Sequence, residues 1–177
     1  MSVLPSTEKH TERLRTVTWK SPIVDVAKIA SMSGLEYLQH LLDSDRPPPF
    51  AELLNFRLTR IAPGMATFAG IPAEYHYNPI GVVHGGFAAT LLDSALGCAV
   101  HTPLEPGFAY TTVELKVNFV RPLLMSTGPI EAEGKVIHLG TRVATAEARL
   151  SDSAGKLYAH GTTTCMIFPI VERQPPK

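Results

Sequence analysis

Residues 85–100 read GGFAATLLDSALGCAV, an alanine- and leucine-rich run whose one internal breaker is Gly97. That composition favours helix. The run is apolar nearly all round, so the helix belongs wholly inside a domain rather than on its surface. It falls short of the roughly 20 apolar residues that span a bilayer. A soluble chain must therefore cover this helix with other elements of its own.

The rest of the sequence supplies a cover. After Pro106-Gly107 the period changes to two. In YTTVELKVNFV, Val113, Leu115, Val117 and Phe119 fall on one face, and Thr112, Glu114, Lys116 and Asn118 on the other. Residues 130–139, 142–150 and 156–168 predict three more strands, with turn residues at Leu139-Gly140 and over 152–155. Upstream, NFRLTRIAPGMATFAGI holds two strand-like runs around the turn signal Pro63-Gly64. Short links favour antiparallel pairing. The expected class is α+β, a curved antiparallel sheet wrapped on one long helix.

The front of the chain is different. Residues 1–20 are polar and of mixed charge and predict a mobile arm. Ser21-Pro22 is a helix-start signal. Over residues 23–42, Val26, Ile29, Ala30, Leu35, Leu38, Leu41 and Leu42 recur at helical spacing, with a break expected at Ser33-Gly34. DSDRPPPF then ends the helix in a surface connection. The expected divisions are an arm over 1–20, a helical extension over 21–52, the wrapped domain over 53–170 and a tail over 171–177.

Several functions are argued against by what the sequence lacks. Sixteen basic residues balance sixteen acidic ones, without a basic block, so nucleic acid is not an expected partner. The first residues lack the apolar stretch of a signal peptide and no run suits a membrane span, which predicts a cytoplasmic protein. Cys98 and Cys165 form no Cys-x-x-Cys and read as buried free thiols. Gly-x-Ser-x-Gly, a phosphate-binding Gly-rich loop and His-Glu-x-x-His are all absent. No metal or redox cofactor is expected.

The chemistry is expected at the long helix. His84-Gly85-Gly86 opens it. Glycines at a helix start leave backbone N–H groups open where the dipole is positive, a place suited to an oxyanion. Taken alone, they equally allow a tight turn and close packing. Asp93 adds weight, because aspartate is a poor helix former and is rarely buried unpartnered. Its neighbours one turn away are Ala89, Thr90, Leu96 and Gly97; three are small and should leave a hollow around the carboxylate. Gly85 and Asp93 lie eight residues apart, which is roughly 12 Å along a helix. One helix cannot bring both to one carbonyl. Two antiparallel copies can, which predicts a site shared across a two-fold dimer.

In these residues the chain resembles the PaaI-type hotdog-fold acyl-CoA thioesterases, a family with Asn, then Gly, then His-Gly-Gly, then an acid nine residues after the His. Here those are Asn78, Gly81, His84-Gly85-Gly86 and Asp93. The likeness runs on through TTVELKVNFVRP, VIHLG and DSAGKLYAHGTTTCMIF and covers roughly residues 53–168. The segment GLEYLQHLLDSDRPPPFAELLNF is similar to the extended front end of bacterial members. The resemblance implies the hotdog fold, with residues 53–170 as the thioesterase domain, and a homodimer, often paired into a dimer of dimers. It implies an acyl-CoA substrate, with Asp93 as general base or nucleophile and the Gly85 amide as oxyanion donor. Asn78 and His84 would position the thioester and support the helix start. Thr112, or Thr111, would orient the water. Gly86, Val120, Arg121, Pro122, His138, Gly140 and Arg142 would bind the CoA moiety, and arginines suit phosphates on general grounds. Two other functions compete on the same scaffold: a non-catalytic acyl-CoA binder, and an enoyl-CoA hydratase or dehydratase.

Overall fold

The computed structural model describes residues 11–22, 25–44 and 46–170. In chain order it contains α1 (Val26–Ala30), α2 (Gly34–Asp43), α3 (Pro49–Leu54), β1 (Phe56–Ala62), β2 (Met65–Gly70), α4 (Gly85–His101), β3 (Phe108–Phe119), β4 (Ile130–Leu139), β5 (Val143–Asp152) and β6 (Leu157–Pro169). Single 3-10 turns lie at Glu74–His76 and Met125–Thr127. The strands form one antiparallel sheet of order β1-β2-β4-β5-β6-β3, so β3 is an edge.

The sheet wraps α4 because its central strands turn a largely apolar face, with many small residues, toward the helix. Along β5, Ala144, Ala146, Ala148 and Leu150 are buried and alternate with outward residues. They meet Leu91, Leu92, Ala95, Leu96 and Val100 of the helix, all fully buried. Each such leucine contributes about 1.5–3 kcal/mol by leaving water. The closest approach is at Gly134 on β4, where a Cβ would overlap the carbonyl group of Ala95. Glycine there lets the helix backbone rest directly on the sheet.

α4 is not wholly buried, contrary to the reading of its composition. Gly86 is exposed, and Thr90, Asp93 and Ser94 are half-buried along one stripe that the sheet leaves open. These residues are small or polar, and an apolar count over the whole helix hides them.

The front end also departs from expectation. Its first helix begins at Val26, with Asp25 as N-cap accepting from the Lys28 N–H, and not at Ser21-Pro22. Residues 23, 24 and 45 lie outside the described set, as do 1–10 of the arm and the tail. The break at Ser33-Gly34 is present: Ser33 caps α2 in a reciprocal pair with Glu36. Gly34 is needed there because its backbone lies against the His101 carbonyl at the far end of α4. The proline run does not give a bare connection, since Pro49 opens α3. Proline costs nothing at a first helical position, where its missing N–H would have no partner. Residues 11–22 carry no regular structure, but Arg15 donates to the carbonyls of Leu53 and Glu52 at 2.7 and 3.1 Å.

Candidate active site

The approach to α4 is an ordered loop. Asn78 Oδ1 accepts from the N–H groups of Ile80 and Val82 at 3.1 and 3.3 Å. Gly81 takes φ +81°, a left-handed conformation suited to glycine. Asn78 thus spends its oxygen shaping the loop. His84 is the N-cap, and its ring Nδ1 accepts from the Gly86 N–H at 2.9 Å. The ring occupies the space that a Cβ on residue 86 would need, 2.8 Å from Nδ1. A Cβ on residue 85 would stand 2.9 Å from the Phe119 ring. Both glycines therefore have a packing reason. The two amides differ, however. The Gly86 N–H is taken by His84, whereas the Gly85 N–H has no acceptor among the described residues. It lies at the positive end of a 17-residue helix.

Asp93 sits two turns further on. The Thr112 hydroxyl donates to its Oδ1 at 3.1 Å, from edge strand β3. Thr111 is exposed and makes no such bond. This result corrects the period-two reading of β3, which put Thr112 on the same face as Glu114. A β-bulge interrupts the β3–β6 register between Thr112 and Glu114. The extra residue, Val113, lies outward and exposed. Before the bulge Tyr110 and Thr112 face the helix; after it Leu115 and Val117 do. Glu114 instead lies outward, where it accepts from Thr164.

The hollow expected beside Asp93 is partly filled. A Cβ on Gly97 would lie 2.6 Å from the Tyr110 oxygen, so the tyrosine occupies the notch that glycine leaves. Burial raises the Tyr110 phenol well above its usual range. Burial likewise pushes the Cys98 thiol up to about 12, against a lowering hydrogen bond with Tyr110. Both groups are therefore held in their protonated, neutral forms at neutral pH. Cys98 and Cys165 are free thiols.

The expected CoA residues do not converge within one chain. Arg121 and Pro122, with Leu124, Ser126, Thr127, Lys156 and Tyr158, line an open cleft of about 350 Å³. Arg121 is held by a bond to the Leu157 carbonyl, and the Val120 N–H donates to Tyr158 at 2.8 Å. His138, Gly140 and Arg142 sit at the β4–β5 turn, where the Gly140 N–H donates to Val143. Val143 pairs with Met166 and Ser151 with Leu157, so the two groups lie at opposite ends of β6, roughly 30 Å apart.

Three residues at the site escaped the sequence reading as contributors: Tyr110, Phe119 over Gly85, and His76. His76 is 6% exposed, and its ring stacks on Phe87 at 4.0 Å. The run Glu74-Tyr75-His76-Tyr77 just before Asn78 is the one local hint of an aromatic cluster there.

The Thioesterase superfamily profile matches residues 80–159, from the loop before α4 into β6. A provisionally named esterase of Halobacterium salinarum is 41% identical over 69 residues, which cover 38% of this chain and 44% of that protein. The chain spans about half the length of the first curated relatives it matches. A solved structure of a point variant of the phenylacetic acid degradation protein PaaI from Thermus thermophilus is 32% identical. It covers 67% of this chain and 98% of that one, with a TM-score of 0.61. Thioesterase HI1161 from Haemophilus influenzae, at 20% identity, shares the fold over 89% of this chain and 99% of its own, with a TM-score of 0.67. No helix among the described residues is long and apolar enough to cross a membrane. The sheet wrapped on α4, the His-Gly-Gly start of that helix and these matches place the chain in the thioesterase superfamily, as a PaaI-type member with the hotdog fold.

Proposed function

We propose that this chain hydrolyses acyl-CoA thioesters to a free acid and CoA, at two sites shared between the protomers of a two-fold dimer. The observation that carries the reading is Asp93 on the open stripe of α4, with Thr112 holding one carboxylate oxygen. That bond leaves Oδ2 for a water and fixes its direction. Asp93 acts as general base. The water oxygen attacks the thioester carbonyl carbon and its proton passes to Asp93. The carbonyl oxygen becomes an oxyanion and is met by the Gly85 N–H of the other protomer. Collapse breaks the C–S bond, and the thiolate takes the proton from Asp93.

The dimer is supported by two features of the single chain. Among the described residues β3 leaves a 12-residue edge unpaired at one side of the sheet. Beside it runs the uncovered stripe of Gly86, Thr90, Asp93 and Ser94. Antiparallel pairing of two β3 edges would cover both and set the two helices side by side. It would also bring one protomer's Arg121 cleft nearer the other's β4–β5 turn, so that CoA meets both groups. A thiol-release screen over aromatic, branched and medium-chain acyl-CoAs tests the reading. Asp93→Asn should retain the fold and lose at least about a hundredfold in rate, the low end for a catalytic acid–base group. Unchanged release in that variant would end the assignment.

A further inference from the structure

His76 stands between the front of the chain and the start of α4, and every polar atom of its ring is engaged. Nδ1 accepts from the Ala73 N–H at 3.1 Å, so the ring proton is on Nε2, which donates to the Leu54 carbonyl at 3.0 Å. The ring lies nearly parallel to Phe87, 4.0 Å between centroids and 18° between planes. Its backbone carbonyl accepts from the His84 N–H at 2.8 Å. Phe87 in turn donates its N–H to His84. Two separate links, one through backbone and one through the ring, therefore grip the segment that contains Gly85. On its other side His76 is anchored to the last carbonyl of α3. Arg15 binds the carbonyls of Leu53 and Glu52, just before that one, and lies 3.8 Å over the Tyr75 ring.

We propose that neutral His76 is a positioning residue that clamps the first turn of α4 against α3 and so sets the direction of the Gly85 amide. The inference rests on the reading of Gly85 as oxyanion donor. A proton added to Nδ1 would face the Ala73 N–H, donor against donor, and the ring would have to leave its place. Burial keeps the imidazole below its usual range, the bond to Leu54 works the other way, and Arg15 is the cation that adds to the burial effect. Its own turn brings Glu74, which is paired with Arg13, and Tyr75. α4 presents Phe87 and α3 presents a backbone carbonyl. The clamp is therefore intact at neutral pH and opens in acid.

The test uses His76→Phe, which keeps a ring for stacking and loses both hydrogen bonds, and His76→Gln, which can still reach the Leu54 carbonyl. Hydrogen exchange of the peptide carrying residues 84–88 reads the clamp without reference to activity. It should quicken by roughly tenfold in His76→Phe, less in His76→Gln, with the β5 amides unmoved. On an acyl-CoA that the wild type cleaves, kcat should fall by about tenfold or more with KM little changed, as for a misplaced catalytic group. The fall in wild-type kcat below about pH 6.5 should lose its His76 component in His76→Phe. Unchanged exchange over residues 84–88 overturns the clamp. Faster exchange with unchanged kcat and pH profile overturns its role in positioning. If the wild type releases no thiol from any acyl-CoA, the hydrolase reading and the positioning role fall together, while exchange still judges the clamp.

Discussion

Replacing Thr112 by valine removes one hydroxyl and almost no volume. It isolates the 3.1 Å bond that joins edge strand β3 to Asp93. A hydrogen bond to a charged acceptor contributes about 1.5–3 kcal/mol. Asp93 is half-buried, so water can reach part of what is lost and the low end applies, about 1.5 kcal/mol. In a chain of this size each kcal/mol moves Tm by about 2–4 °C, which gives a fall of about 3–6 °C. If the same bond aims the carboxylate at water, a comparable energy in the transition state costs about tenfold in kcat. Thermal unfolding followed by circular dichroism, at one protomer concentration because a dimer makes Tm concentration-dependent, reads the first number. Thiol release reads the second. Thr111→Val is the control, since Thr111 is exposed and should shift stability by no more than about 0.5 kcal/mol. Equal effects at the two positions, or a larger one at Thr111, would refute both the bulge register and the role given to the hydroxyl.

Other predictions concern the fold, its pH response and the chemistry. Burial holds the His76 and His101 imidazoles below the usual histidine value of 6.5. The unfolded chain binds more protons than the native one just below that pH, so stability should be full above about 6.5 and fall as pH drops through the lowered native values. His76→Phe should flatten part of that slope in Tm measured from pH 7.5 to 5. A slope of the opposite sign would contradict the neutral state of both rings. Gly134→Ala forces a methyl into the Ala95 carbonyl and should cost about 3 kcal/mol, the upper end for overpacking, read as a lower urea midpoint. A single turnover in water labelled with oxygen-18 should put the label in the product acid, as general-base attack requires. Label in the Asp93 carboxylate would assign it as nucleophile instead.

Much of this fold is legible in the chain because its signals are local. The β1–β2 hairpin is announced by Pro63-Gly64, and Gly64 takes φ +73°. The alternation of Ala144, Ala146, Ala148 and Leu150 marks an inward face without reference to other strands. The start of α4 is set by His84 and two glycines, whose space and amides can be reasoned about from side-chain size alone. What is not legible depends on elements distant in sequence. The bulge at Val113 is decided by how β3 meets β6, and it reverses which threonine-bearing face meets the helix. Tyr110 enters the Gly97 notch only because β3 crosses α4 there. α3 was hidden because three prolines read as a stop, although one of them stands where a helix starts. His76 shows no periodicity, and its partners lie at Leu54, Ala73 and Phe87.

One active site built from two chains is the central claim, and subunit complementation tests it directly. Asp93→Asn removes the base. Gly85→Pro removes the amide proton at a first helical position whose preceding φ −60° and ψ 135° suit proline, and its Cβ needs only the outer edge of the exposed Phe119 ring, 2.9 Å away, to swing aside. Each variant alone should be inactive. Unfolded together in equal amounts and refolded, they should regain about a quarter of wild-type activity, because half of randomly assorted dimers are mixed and each mixed dimer holds one intact site. A refolded mixture no more active than either variant alone, with mixed dimers present, would contradict the shared site.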